Sequence, residues 1–541
     1  MKNVFYLLSF VLFVTAADAQ PGANTLKQNL QKHISYLADD KLEGRRAGTP
    51  GEQKAMQYIA QQFKNYGIAP KGTKGFYQSF EINDGKAMAP DTKLIINGKE
   101  LKQNEDYFVF PFSKKGVYNG SLKKTYNTNK QPAFIGLELA FPDFVKNPHY
   151  DIEDAIYNEV KKSYKDSYKV LFICGISPKS RPLVFNKRDK HETLPITVIY
   201  LPFKSLSFFP DNFKTPFKMS LNANIIEPKR TGHNVIGFID NKAANTVVLG
   251  AHFDHLGYGE DGNSTWRGEG KQIHNGADDN ASGTATLIEL SRLLKASKAK
   301  NNNYLFIAFS AEELGLFGSK YFVENPTINL GNVNYMINMD MVGRLNDSTN
   351  ALTVGGFGTS PQWSGIANTS TDFTIKIDSS GSGPSDHTSF YRKDIPVLFY
   401  FTGLHHDYHK PSDDYDKINY EGTALIAKNI LNLVEKLNGA PKLVFTKTRE
   451  RQVVNTSFKV TLGIMPDYTY SGAGVKADGV TENRPAATAG LKAGDIITKI
   501  GDYNIGDMNA YMQALGKFKK GDVTTIKFKR GAEEKEAPLT F

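Results

Sequence analysis

Four short apolar runs in the middle of the chain alternate with segments whose apolar residues recur at helical spacing. The runs cover residues 246–251, 304–309, 333–339 and 395–401, and the two clearest helical segments cover residues 284–297 and 424–437. Alternation of this kind is typical of an α/β domain in which helices flank a mostly parallel, mixed sheet. The pattern predicts this fold class for the central part of the chain.

The pattern changes on either side of this central part. Residues 85–225 consist of short β-like runs separated by Lys- and Asn-rich loops, and the chain after Lys442 returns to short strands and Gly-containing turns. The sequence therefore predicts an α/β domain built from residues 20–84 and 226–442, an inserted β-rich domain at 85–225 and a C-terminal domain at 450–541. A chain of 541 residues is long enough for this number of domains.

The N-terminus has the pattern of a signal peptide. Lys2 precedes an apolar run over residues 4–14, and Ala17-Asp18-Ala19 forms a cleavage site of small residues. The run is too short to span a bilayer core of about 30 Å. We expect residues 1–19 to be removed and the protein to be exported, to the periplasm or the medium, without a stable membrane anchor. Cys174 is the only cysteine, so the chain folds without an internal disulfide.

The chain carries a net charge of +10, and a positive charge is common among nucleic-acid-binding proteins. Its Lys and Arg residues are scattered singly or in pairs, and no dense basic tract with interleaved aromatic residues occurs. The charge pattern predicts no nucleic-acid partner.

Side chains that bind metals follow each of the four apolar runs. These residues are His252 and Asp254 after the first run, Glu312 and Glu313 after the second, Asp340 after the third and His409 after the fourth. Ligands of open α/β sheets bind at the carboxyl ends of the strands, so we expect these side chains to meet at one edge. The segment NGADDNASGTA (275–285) adds two adjacent acids in a composition otherwise typical of a turn.

Histidines and carboxylates without a thiolate suit zinc in a catalytic site. Two zinc ions need one shared carboxylate and separate ligands on each side. His252 and His409 provide one imidazole for each metal, Asp340 and Glu313 provide terminal carboxylates, and one Asp of the NGADDN motif lies between them. Of the two adjacent glutamates, one is then free to act as general base toward a metal-bound water. Asp254 is placed to accept the second ring N–H of His252.

Five motifs in this order resemble the di-zinc aminopeptidases of peptidase clan MH, a group that includes secreted bacterial leucyl aminopeptidases. They are AHFDHLG (251–257), GADDNASGTA (276–285), FSAEELGLFGS (309–319), NMDMVG (338–343) and DYHKPSDD (407–414), and residues 39–63 resemble the family's N-terminal segment. The resemblance implies two zinc ions per chain, one held by His252 and Asp340 and the other by Glu313 and His409. It also implies that Asp279 bridges them.

The resemblance assigns further roles. Glu312 becomes the general base, and Tyr408 matches a tyrosine that stabilises the oxyanion in some relatives. The peptide bond between Asp279 and Asn280 is expected to be cis, as in those relatives. Asp278 is left as a local turn-former.

The two flanking domains fit the same family. The insertion stands where relatives carry a protease-associated domain. The tail, with LGIM (462–465) and AGLKAGDIITKIGD (489–502), resembles a PDZ domain. A PDZ domain is expected to bind the C-terminus of a peptide by strand addition. An autoinhibitory or structural role of the tail stays open as an alternative.

The sequence therefore predicts an exported di-zinc metallopeptidase that hydrolyses N-terminal residues from peptide substrates, with a metal-bound water activated by Glu312. Three alternatives remain at this point: a glutaminyl cyclase-like enzyme with a single zinc, a carboxypeptidase of the same clan, and a non-catalytic peptide-binding protein.

Overall fold

The structure, a computed structural model, describes residues 23–122, 133–146, 152–163, 169–179, 181–187, 189, 191–209, 215–266, 268, 270–365, 373–448, 460–466, 473–480, 484–506 and 508–541. The predicted signal peptide, residues 1–19, lies outside them. The chain divides into two compact units, one made of Met1–Gln78 and His233–Glu450 and the other of Ser79–Gly232 and Arg451–Phe541. Among the described residues, no helix combines the length and apolarity needed to cross a membrane.

The first unit is built around a nine-stranded mixed sheet. Its strands are β1 (Ala69–Pro70), β2 (Tyr77–Asn83), β3 (Lys229–Ile239), β4 (Asn245–His252), β5 (Asn302–Phe309), β6 (Val333–Met339), β7 (Ala351–Gly355), β8 (Thr374–Ile377) and β9 (Val397–Phe401). The order is β1-β3-β5-β4-β6-β9-β7-β8, with β2 paired to β3. The four central strands β5, β4, β6 and β9 are parallel, and β3 and β7 join them antiparallel.

Helices cover both faces of this sheet. They are α1 (Ala23–Leu37), α2 (Pro50–Asn65), α3 (Gly283–Ala296), α4 (Phe317–Glu324), α5 (His387–Tyr391) and α6 (Tyr420–Leu437). Alternate residues of β4 point to opposite faces: Val247 and Leu249 join the core beneath the long helices, whereas Val248 joins a second core with Phe322 and Phe390. The predicted α/β class, a mostly parallel mixed sheet flanked by helices, is confirmed.

Short helical turns complete the first unit. They cover Asp40–Arg45, Ala277–Ser282, Leu330–Asn332, Phe357–Thr359, Pro361–Gly365 and Tyr415–Lys417. In the first of these turns, Glu43, Gly44 and Arg45 all have positive φ. A Cβ on Gly44 would lie 2.5 Å from the carbonyl oxygen of His274, so only glycine fits this close approach.

The inserted part of the second unit contains two four-stranded sheets. The strands of the first sheet are, in spatial order, Phe108–Val109, Thr197–Leu201, Val170–Cys174 and Ala133–Gly136. Those of the second sheet are Lys99–Leu101, Lys93–Ile96, Phe217–Ala223 and Gly116–Leu122. A separate short pair is formed by Ala87–Met88 and Ile225–Ile226. Its helices are Leu137–Ala140, Pro142–Lys146, Ile152–Ser163 and the turn Phe203–Phe208. The insertion is β-rich as predicted, but it also holds the helix Ile152–Ser163, whose Ile152, Ile156 and Val160 are buried at a spacing of four residues.

The C-terminal part of the second unit is a small β-sheet domain. Its strands run in the order Ile464–Pro466, Val475–Val480, Ile496–Ile500, Val523–Arg530 and Glu533–Thr540, with Tyr503–Asn504 paired to the third, and its helices are Pro485–Thr488 and Met508–Leu515. Ile464–Pro466 forms one edge of this sheet.

Candidate metal centre

The carboxyl ends of the parallel strands bring the predicted ligands together. His252 is the last residue of β4, Asp340 follows β6 directly, and the segment after β5 delivers Glu313. His409 reaches the same place from the loop after β9. Among the described residues, His252, Asp279 and Asp340 form one buried group able to hold a metal ion, and Asp279 and Glu313 form a second with His255.

Asp279 lies between the two groups and turns one oxygen to each side. Its Oδ1 is 3.4 Å from His252 Nε2, and its Oδ2 is 3.2 Å from His409 Nε2. His252 Nε2 lies 3.3 Å from Asp340 Oδ1, and His409 Nε2 lies 3.2 Å from Glu313 Oε2. The structure therefore places Asp279 where a bridging carboxylate is expected.

These spacings fit zinc. Donor atoms about 2.0–2.1 Å from a tetrahedral zinc ion are separated from one another by about 3.3 Å. The four nitrogen–oxygen distances given above, two to Asp279 and one each to Asp340 and Glu313, range from 3.2 to 3.4 Å. The donor set of imidazoles and carboxylates is also one that zinc prefers.

The carboxylates give the site an excess of negative charge. Burial lowers the pKa of His409, but Glu313 and Asp279 outweigh it and raise that pKa to about 11. Burial also lowers the pKa of His252, yet carboxylates led by Asp340 raise it well above its usual value. Burial raises the pKa of Asp279, while hydrogen bonds from the two imidazoles bring it well below its usual value. Such a site favours cations.

Glu312 directly precedes Glu313 in the chain but belongs to neither group of candidate donor atoms. Its backbone N–H donates to Asp254 Oδ1 at 3.1 Å, which fixes the start of the loop that carries it. Burial raises the pKa of its carboxyl group, His252 opposes this, and Asp340 adds to it, so that the pKa lies well above its usual value.

Asp254 meets His252 through both its main chain and its side chain. His252 Nδ1 lies 3.2 Å from the carbonyl oxygen of Asp254 and 3.7 Å from its Oδ1. The nearer acceptor is thus the main-chain oxygen rather than the predicted carboxylate. Because Oδ1 also accepts the N–H of Glu312, Asp254 connects the first metal ligand to the predicted base.

Tyr408 lies beside His409, and the carboxylates of the site affect the pKa of its hydroxyl. Its ring stacks on that of His409 at 3.9 Å between centroids. Burial raises the pKa of its hydroxyl well above the usual value, and the carboxylates of Asp279 and Glu313 add to the effect. The phenol therefore stays protonated and able to donate a hydrogen bond.

Asp278 does more than form a local turn. Its Oδ1 accepts hydrogen bonds from Ser282 Oγ and from the N–H of Gly343, and its Oδ2 lies 3.1 Å from His405 Nε2. Asp278 is fully buried. Its contacts with Gly343 and His405 link the NGADDN segment to two distant loops. The expectation that it serves only its own turn is wrong, because its long-range partners are not visible in the local sequence.

Asp413, on the segment that carries His409, holds the backbone of Asp279, the predicted bridging residue. Its Oδ2 accepts the N–H groups of Asp278 and Asp279, each at 3.0 Å, and its carbonyl oxygen accepts that of Ala277. The peptide bond between Asp279 and Asn280 is cis, as expected.

The first turn of α3 passes close beneath the site. A Cβ on Gly283 would lie 2.4 Å from the carbonyl oxygen of Met339, the residue before Asp340. The small residues of the NGADDNASGTA motif therefore allow the helix to approach β6.

Arg45 is a buried residue that the sequence did not single out. It is fully buried, and its guanidinium donates to the carbonyl oxygens of Phe253, Leu37, Asn275 and Gly276. Burial lowers its pKa to about 10, and nearby carboxylates led by Asp254 oppose this, so it stays charged at neutral pH. Two of these carbonyls belong to the segment that leads into Asp279.

Three more residues contact the ligands and were not predicted. Ser385 Oγ donates to Asp340 Oδ2 at 2.7 Å, the carbonyl oxygen of Asn263 lies 2.8 Å from His409 Nδ1, and His255 Nδ1 lies 2.8 Å from Glu313 Oε1. His255 lies inside the AHFDHLG motif, so its position was a usable signal.

Two histidines left out of the predicted ligand set lie apart from it. His387 is buried and stacks on Phe399 at 4.5 Å, and burial lowers its pKa to about 3. The side chain of His406 is 85% exposed.

Comparison with known proteins identifies two parts of the chain. Residues 234–434 match Peptidase family M28, and residues 460–540 match the PDZ domain. The first match contains every predicted metal ligand.

Individual relatives are more distant. Aminopeptidase YwaD of Bacillus subtilis (strain 168) is 28% identical over 207 residues, which make up 36% of this chain and 42% of that protein. Leupeptin-inactivating enzyme 1 of Streptomyces exfoliatus is 29% identical over 198 residues, or 35% of this chain and 39% of that protein. The chain thus spans about two fifths of the length of these relatives. The structure of BSAP, a zinc aminopeptidase from Bacillus subtilis, aligns with 78% of this chain and 96% of its own at 20% identity and a TM-score of 0.44.

Proposed function

Residues 234–434 form a peptidase family M28 domain and residues 460–540 a PDZ domain, and on this premise we propose that the protein is an exported di-zinc aminopeptidase. It would remove N-terminal residues from peptides. The observation that carries the proposal is the placement of Asp279, whose two carboxylate oxygens face different imidazoles at 3.4 and 3.2 Å.

His252 and Asp340 would hold one zinc ion, His409 and Glu313 the other, and Asp279 both. Zinc ions, when bound, would polarise the scissile carbonyl and acidify a water molecule. Glu312 accepts the proton of the attacking water and passes it to the leaving amine. Asp254 keeps Glu312 in place through its backbone N–H, and the Tyr408 hydroxyl supplies a hydrogen-bond donor for the oxyanion.

Metal removal tests the proposal directly. We expect the zinc-loaded chain to hydrolyse members of a panel of aminoacyl-p-nitroanilides, to lose this activity in chelator and to regain it with zinc. Metal analysis is expected to give two zinc ions per chain. N-terminally acetylated peptides serve as the control, because an aminopeptidase needs the free amine.

Other outcomes identify the alternatives. One zinc per chain with cyclisation of an N-terminal Gln would favour the cyclase, and release of C-terminal residues from acetylated peptides would favour a carboxypeptidase. A zinc-replete chain that acts on none of these substrates would support a peptide-binding protein instead.

The C-terminal domain provides a second place for peptides. Ile464–Pro466 begins within the LGIM segment (462–465) and forms one edge of the sheet among the described residues, a position suited to strand addition. Phe541 is buried in the same domain and exchanges hydrogen bonds with Gly521 and Asp522. The expected ligand is the C-terminus of a peptide.

Peptides with a free C-terminus should bind the full chain more tightly than amidated copies, because a PDZ loop recognises the carboxylate. Fluorescence anisotropy with N-terminally labelled peptides ending in apolar residues measures this, and the label also blocks aminopeptidase cleavage. Equal affinities for the two forms would argue for a structural role of this domain.

Export is the remaining part of the proposal. The signal-like pattern of residues 1–19 supports it. Mass spectrometry of the protein recovered outside the cytoplasm is expected to show Gln20 as its first residue.

A further inference from the structure

His255 is a buried imidazole at the metal centre that the proposed mechanism does not use. It lies three residues beyond the end of β4, and its side chain is 0% exposed. Its Nδ1 lies 2.8 Å from Glu313 Oε1, and its Nε2 is buried without a hydrogen-bond partner among the described residues. Since a carboxylate accepts hydrogen bonds, this contact assigns a ring proton to Nδ1.

The length of this contact sets it apart from those of the metal ligands. His409 Nε2 is 3.2 Å from both Glu313 Oε2 and Asp279 Oδ2, the spacing of donors around a common metal. A separation of 2.8 Å is instead the usual length of a hydrogen bond from nitrogen to a carboxylate. Glu313 thus offers Oε1 to His255 and Oε2 to the side of His409.

We propose that His255 is a positioning residue that holds Glu313 through Oε1, so that Oε2 faces the zinc ion shared with His409 and Asp279. The inference rests on the proposed di-zinc site. A carboxylate held by one oxygen keeps its rotamer and binds the metal through the other. Partners of this kind orient metal ligands and contribute to metal affinity.

The surroundings of His255 keep its ring in place. Its backbone N–H donates to the carbonyl oxygen of Arg45 at 3.3 Å. Gly276 packs against the ring so closely that a Cβ there would lie 2.4 Å from His255 Cδ2. The ring of His409 meets it edge-on, with 5.8 Å between centroids. These contacts pack against the imidazole on several sides and favour its orientation toward Glu313.

A direct ligand role for His255 is the competing interpretation. Its Nδ1 and the oxygens of Asp279 and Glu313 lie close enough to surround a cation. However, Nδ1 is 2.8 Å from Glu313 and 4.0 Å from Asp279, whereas His409 is equally distant from both. The unequal distances favour a hydrogen bond.

Zinc binding to full-length variants tests the role. Competition with a chromophoric chelator gives the stoichiometry and both dissociation constants. We expect His255→Leu to weaken one of the two zinc ions about 10- to 100-fold and to leave the other unchanged. His255→Asn, whose side-chain N–H reaches toward the same oxygen, should recover most of the loss. His406→Leu is the matched control, since that side chain is 85% exposed.

Two results would overturn the proposal. His255→Leu could bind both zinc ions with wild-type affinity, or X-ray absorption could show that zinc loses an imidazole in this variant, which would make His255 a ligand. Circular dichroism checks folding, and the Asn variant keeps the test valid if the Leu variant does not fold. The measurement needs no substrate, so a wild-type chain that binds two zinc ions without hydrolysing peptides would count only against the proposed function.

Discussion

Glu312→Gln is expected to retain both zinc ions and to lower kcat by about 100- to 10,000-fold, the usual contribution of general acid–base catalysis. Glutamine keeps the size and polarity of the side chain but does not accept the proton of the attacking water. The backbone hydrogen bond from residue 312 to Asp254 is unaffected by the change. Steady-state kinetics on an aminoacyl-p-nitroanilide, together with metal analysis of the same sample, measures both parts of the prediction.

Glu324→Gln is the control for this variant, because Glu324 is an exposed glutamate on α4. A near-normal kcat in Glu312→Gln would show that another group is the base. Loss of a zinc ion together with activity would instead identify Glu312 as a ligand.

Arg45→Met is expected to lower the free energy of unfolding of the first unit by about 3–5 kcal/mol, because several buried main-chain carbonyls lose their hydrogen-bond donor. The guanidinium donates to four main-chain carbonyls, and methionine leaves all of them without this donor. Each buried carbonyl left unsatisfied costs about 1–3 kcal/mol, reduced where the chain relaxes. Both tryptophans, Trp266 and Trp363, belong to the first unit, so urea titration followed by their fluorescence measures this change.

Arg45→Lys should lower the free energy of unfolding by less than Arg45→Met does, since an ammonium group keeps the charge without the planar array of donors. Arg392→Met, at an exposed arginine of the same unit, is expected to change stability by less than about 0.5 kcal/mol. If Arg45→Met also stays within that range, the four carbonyls must find other donors and the structural role of Arg45 is wrong.

The central sheet was predictable because its strands are buried on both faces. The apolar run 246–251 became β4, Asn245–His252, and 333–339 became β6 without change of bounds. The predicted helical segment 424–437 ends where α6 ends, but α6 begins earlier, at Tyr420. The first turn carries no apolar repeat, and its signal is Asn419, whose side chain caps the N–H of Gly422.

The residues brought together at the strand ends were also predictable, because parallel strands bring the residues directly after them to one edge of the sheet. Arg45 and Asp413, which hold the main chain around them, were not predictable. Arg45 is 208 residues from Phe253, and Asp413 is 134 residues from the backbone N–H of Asp279 that it accepts. Neither has a local pattern that separates it from a surface arginine or a turn aspartate. Only the packed structure shows that these side chains satisfy the main chain around the predicted metal ligands.

The hydrogen bonds between Asp413 and the backbone of Asp278 and Asp279 affect when the site can form during synthesis of the chain. Domains generally fold as units, and a domain becomes complete only when all of its residues have been synthesised. Asp413, whose carboxylate holds the backbone of Asp279, and His409, whose imidazole faces Asp279, are synthesised late, within residues 409–413. A nascent chain that ends before them carries both groups of candidate ligands around Asp279 but lacks His409. The predicted metal centre is therefore complete only after nearly the whole of the first unit has been translated.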